Sequence, residues 1–187
     1  GTTYTATLTP SGDATYTISV AQNKFTDSAG NNNSASNTFS WTYDSTAPTI
    51  TGVTLASDNS TITVTFSETV WNYDLSPNST GSLEVTDFVF ALSGGTASLS
   101  STTPSSISIN GTEYTLGISL SGTPNGSEIL TVNPVLNSIY DIVGNVASTS
   151  QSNNSISLND KLGPTMTISS STVNSGETSN DSTISLT

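Results

Sequence analysis

The sequence contains no histidine and no cysteine, and its only basic residues are Lys24 and Lys161. Without those nucleophiles and bases, neither a Ser-His-Asp nor a Cys-His arrangement can be assembled. No disulfide framework exists. Two cations against fourteen carboxylates leave a net charge of −12. Such a chain offers phosphates no basic patch, so neither nucleic acid nor an anionic membrane is expected as a partner. No apolar run is long enough to span a bilayer, and no signal peptide is visible. If the protein is secreted, its signals lie outside these residues. The scarcity of Lys and Arg leaves trypsin-like proteases few sites, which suits an exposed life. No Gly-rich phosphate loop occurs. Paired carboxylates are the one catalytic device still available, and nothing places two of them across a pocket. No enzymatic activity is expected.

What is present is hydroxyl. Ser and Thr make up about 70 of the 187 residues, and only 32% of the chain is hydrophobic. Thr has high strand propensity and alternates here with Ile, Val, Leu and Tyr. Gly, Asn, Asp and Pro fall between those runs, as turns require. The fold class is therefore all-β, with thin cores and polar outer faces. Strands are predicted at 50–55, 61–66, 88–92, 97–99, 106–109, 113–120, 128–132, 138–140 and 156–158. Within 61–66, Ile62, Val64 and Phe66 point inward and Thr outward. Asn110-Gly111 between two alternating runs is a strong hairpin signal. Seven to nine short strands in about 115 residues suggest an Ig-like β-sandwich.

The chain repeats itself. "FTDSAGN" (25–31) matches "IYDIVGN" (139–145), "YDSTAPTIT" (43–51) matches "NDKLGPTMT" (159–167), and "SDNSTITVT" (57–65) resembles "SNDSTISLT" (179–187). "YTATLTPSGDATYTISV" (4–20) resembles "YTLGISLSGTPNGSEILTV" (114–132). The order is the same in each copy. Residues 44–160 then form one complete module. Residues 1–43 are the C-terminal part of a preceding module, and 161–187 begin a following one. Either the chain is an excerpt of a tandem array, or its end strands are completed by neighbouring molecules.

"VTFSETV" (64–70), the late D-x-x-G-N and the junction D-x-x-x-P-T together resemble bacterial Ig-like domains. These are the tandem modules of giant adhesins, S-layer proteins and other repetitive surface proteins. The resemblance implies an extracellular, cell-surface rod of stacked sandwiches, with calcium at module junctions. Its partners would be adjacent modules of the same or a neighbouring chain. A self-assembling filament and a carbohydrate-binding module that takes surface glycans are the alternative functions. The second copy departs from the pattern, with Lys161 where the first has Ser45. A cation beside Asp160 should weaken a metal site there.

Calcium takes six to eight oxygens from carboxylates, Asn side chains, carbonyls and water. The candidate ligands are Asp27, Asn31, Asp44, Glu68, Asp141, Asn145 and Asp160, with Asp27 and Asp44 as the favoured pair and Glu68 within reach of Asp44. The competing reading of Asp27-x-x-Gly30-Asn31 is a turn. There the Asp oxygen accepts backbone N–H bonds and Gly takes positive φ. The two readings are compatible. Asp58, Asp74, Glu84 and Asp87 are read as solvated loop charges. Trp41 is read as core, and Trp71 with Tyr73 is the weak carbohydrate candidate. The Thr-x-Thr arrays are read as an ordinary solvated sheet face. Seven N-x-S/T sequons, at Asn32, Asn59, Asn78, Asn110, Asn125, Asn153 and Asn180, are expected in exposed loops.

Overall fold

The computed structural model describes residues 3–73 and 79–169, with residues 176, 178, 185 and 186. Asp74, Asn78 and Asn180 lie outside the described residues. All the paired strands are antiparallel.

The centre is a two-sheet sandwich. One sheet has four strands, β3 (Ile50–Leu55), β4 (Thr61–Phe66), β8 (Glu113–Gly117) and β7 (Ile107–Asn110), in the order β3-β4-β8-β7. The other has three, β11 (Ser155–Ser157), β10 (Ile129–Pro134) and β5 (Phe88–Ser93), in that order. Lettered in chain order as A to G, these are the ABED and CFG sheets of an Ig-like fold. Between β5 and β7 comes β6 (Ser98–Leu99). It pairs with β9 (Leu120–Ser121) as a small separate ladder.

The alternation in β4 builds the core directly. Ile62, Val64 and Phe66 are buried while the threonines between them are only partly so. From the facing sheet come Phe88, Phe90, Leu130 and Val132, and from the strand beside β4 come Tyr114 and Leu116. Complete burial of a side chain of this size contributes about 1.5–3 kcal/mol. Phe66, Phe88 and Tyr114 form an aromatic cluster, with Phe66 edge-on to Tyr114 at 5.6 Å. The outer face carries hydroxyls in register. Thr54 stands opposite Thr63, Thr63 opposite Thr115, and Thr115 opposite Ser108.

Three expectations about the strands need correction. The run 113–120 is not one strand. It leaves the four-stranded sheet after Gly117 and re-pairs as β9 with β6. Gly117 has the Ser105 and Ser106 hydroxyls where a Cβ would stand, so a side chain at the crossing point would have to displace both. Residues 138–140 make only isolated bridges, Tyr140 to Trp71 and to Val146. In the β7–β8 hairpin Asn110 stays in the ladder opposite Glu113. Gly111 and Thr112 therefore form the two-residue loop, with Gly111 at φ +62°. This is the turn that takes Gly first, not the Asn-Gly pair.

Two further ladders flank the sandwich. β1 (Ala14–Ile18) pairs with β2 (Phe39–Tyr43), and β12 (Ile168–Ser169) pairs with β13 (Ser185–Leu186). In β1–β2 the register places Tyr16 opposite Trp41 and Ile18 opposite Phe39. That face is therefore apolar and the reverse is Thr and Ser. Trp41 stacks on Tyr16 at 5.5 Å and on Phe39 at 6.1 Å. Trp41 is half-buried rather than core, and Phe39 is 62% exposed. No second sheet among the described residues covers this face.

Candidate metal centre

The D-x-x-G-N turn forms twice with the same bonds. In the first copy Asp27 Oδ1 accepts the N–H groups of Ala29 and Asn31, both at 2.9 Å, and Oδ2 accepts Asn31 Nδ2–H at 2.9 Å. In the second, Asp141 Oδ1 accepts Val143 N–H at 2.9 Å and Asn145 N–H at 2.8 Å, and Oδ2 accepts Asn145 Nδ2–H at 2.7 Å. Gly30 and Gly144 take φ +87° and +96°, which explains glycine at the fourth position. These bonds to the charged form hold Asp27 below the usual carboxylate range, its Asn31 side-chain bond being the strongest cause.

The environments of the two turns differ. Asp27 is exposed, whereas Asp141 is completely buried. Asn145 reaches from the second turn to the linker, donating Nδ2–H to the carbonyls of Asp44 at 3.3 Å and Thr46 at 3.5 Å. Glu68 follows β4 by two residues, and the pairing of Ser67 N–H with Thr49 O keeps that end of β4 beside the linker. One carboxylate oxygen each from Asp44, Glu68 and Asp141 lies within 4.8 Å of the others. Burial raises the pKa of Glu68, and the charges of Asp141 and then Asp44 push it further the same way. Three like charges at one spot favour a counter-cation, and an all-oxygen donor set suits a hard one such as calcium.

Asp44, at the start of the 44–160 module, groups with Glu68 and Asp141 of that module, and Asp27 of the favoured Asp27–Asp44 pair is not in that group. The physical reason is topological. The strand that ends at Tyr43 carries the chain along its own module, away from the turn that precedes it. The turn that meets Asp44 comes instead from the next copy. Asn31 is occupied by Asp27. Asp160 is exposed, accepts Leu162 N–H at 2.8 Å, and joins no three-carboxylate group among the described residues.

Other candidates separate by burial. Asp58 is exposed and accepts from the Ser60 N–H and hydroxyl, and Glu84 is exposed. Asp87 is not a solvated charge, being only 8% exposed and accepting Glu84 N–H at 2.7 Å. Its burial raises its pKa. Asn59 is buried, with its side chain bonded to Asn159, so that sequon is not an open loop. Trp71 is partly buried with its indole N–H enclosed, and its backbone pairs with Tyr140. Tyr73 is exposed, so the two rings do not present equivalent open faces.

Sequence reasoning missed Glu128. It is completely buried, yet its carboxylate accepts the N–H groups of Thr96, Ala97, Asn125 and Gly126 at 2.8–3.2 Å. Burial pushes its pKa up, but the backbone donors outweigh that and hold it at about 2. Gly95, at φ +62°, lies so close that a Cβ would overlap the Glu128 side chain. The available signal was the Gly94-Gly95 pair between β5 and β6.

Residues 1–43 match the family described as bacterial Ig-like domain. Comparison with curated proteins and with solved structures finds no match. No helix among the described residues is long and apolar enough to cross a membrane.

Proposed function

We propose that the chain is a structural stalk segment of a large repetitive extracellular surface protein of the adhesin type, rigidified by calcium at its module junctions. An Ig-like domain of bacterial type goes with a structural role at or outside the cell surface, and the sandwich is a fold typical of such non-catalytic roles. The observation that carries the finer reading is the grouping of Asp44, Glu68 and Asp141 within 4.8 Å. These residues come from a linker, a strand end and a turn that are distant in sequence. Calcium would neutralise them and stiffen the joint, while their repulsion without it would loosen the joint. Small-angle scattering and thermal unfolding of the full chain, with calcium and with chelator, test this. Calcium should lengthen and sharpen the distance distribution and raise the melting temperature. An unchanged maximum dimension and an unchanged melting temperature refute it.

A second reading makes the protein a filament or surface-layer subunit whose end strands are completed by neighbouring molecules. Sedimentation across a concentration series separates the readings, since assembly grows with concentration and a stalk segment remains monomeric.

A further inference from the structure

The linker between the first two modules is held from both sides. The β1–β2 ladder ends at Ala14 opposite Tyr43, which brings Asp13 up to the linker. Asp13 Oδ1 accepts the Ser45 N–H at 2.8 Å and the Ser45 hydroxyl at 2.7 Å. Its Oδ2 accepts the Thr46 hydroxyl. The carbonyls of Asp44 and Thr46 face the other way, to Asn145 of the next module. Three donors of the linker thus point to the preceding module and two acceptors to the following one, while the Thr46 N–H stays within the linker, on Asp44 Oδ1 at 3.0 Å. We infer that Asp13 is an ion-independent latch that fixes the orientation of successive modules by holding Ser45 and Thr46.

The residue types fit the role. Only a carboxylate offers two acceptors that can take one N–H and two hydroxyls together, and bonds to an ionised acceptor are stronger than neutral ones. The second junction is chemically different. Lys161 and Leu162 stand where Ser45 and Thr46 do, so no hydroxyl is available. There Lys161 N–H donates to Pro124 O at 2.8 Å, and Asn159 is tied to Asn59 and to the Ala56 carbonyl. The carboxylate–hydroxyl latch is therefore particular to the first junction.

This inference rests on the tandem-module reading but not on calcium, and one experiment separates them. Amide hydrogen exchange is followed by NMR on the full chain in chelator, then with calcium. In chelator the wild-type Ser45 amide should be protected. Asp13→Ala should lower that protection by roughly tenfold or more, with the core amides of Val64 and Leu116 unchanged. Asp13→Asn keeps one carbonyl acceptor and should fall between the two. 15N relaxation should show residues 14–43 and 50–158 tumbling with one correlation time in wild type and with two in Asp13→Ala. A wild-type Ser45 amide unprotected in chelator, or protection unaltered by Asp13→Ala, overturns the latch. If protection appears only with calcium, the latch fails and the cation reading stands. If it is present in chelator and calcium changes nothing, the latch stands and the cation reading fails.

Discussion

Removing one charge from the carboxylate group should change stability with opposite signs in chelator and in calcium. At the 4.8 Å limit of that group, two unit charges repel by about 1 kcal/mol in water and about 3–4 kcal/mol at an effective dielectric constant near 20. Glu68 is only partly buried, so the lower end of that range applies, because exposed charges are screened. Glu68 faces two such partners, Asp44 and Asp141. At about 1 kcal/mol from each, Glu68→Gln should stabilise the ion-free protein by about 2 kcal/mol. For a domain of this size each kcal/mol is worth roughly 4 °C in melting temperature. In calcium the sign reverses. A site occupied at a hundred times its Kd adds about 2.7 kcal/mol to the wild type, and the amide, with one charge fewer, gains much less. The assay is thermal unfolding of both proteins by circular dichroism, in chelator and in millimolar calcium. A Glu68→Gln protein that melts below wild type in chelator refutes the repulsion. One that gains as much from calcium as wild type removes Glu68 from the ligands.

The buried Glu128 predicts a pH dependence. Its folded pKa of about 2 lies below its ordinary value of 4.5, so its contribution is complete above about pH 4.5 and is lost as pH falls through 2. Urea midpoints of wild type should drop across that window, and those of Glu128→Gln should start lower and drop less. Gly95→Ala should cost about 1–2 kcal/mol for the left-handed backbone alone, and more for overlap with Glu128, read as a lower urea midpoint. Leu116→Ala, at a site with no solvent exposure, should cost about 2–5 kcal/mol, read by the same titration with an unchanged slope.

Local pattern by itself determined much of this protein. The boundaries of β3 and β4 follow from alternation, because a half-buried strand must put every second residue inward. The Asp-x-x-Gly-Asn turn follows from its two copies, because only glycine takes that φ cheaply and a carboxylate takes the two amides on one oxygen and the Asn Nδ2–H on the other. The class of donor also follows, since a chain with no His or Cys has only oxygen to offer a metal. Tertiary structure decided which carboxylates meet. Asp44 and Glu68 are 24 residues apart, and Asp141 is 73 beyond Glu68; their meeting depends on which pole each strand end reaches. The two identical turns show the same limit. Asp141 is buried where the linker lies against its turn, with Asn145 bonded to the carbonyls of Asp44 and Thr46, and no local pattern shows which linker that is. Glu128 was invisible for a related reason. A glutamate at a strand start reads as solvated until a distant loop is known to aim its backbone N–H groups at it.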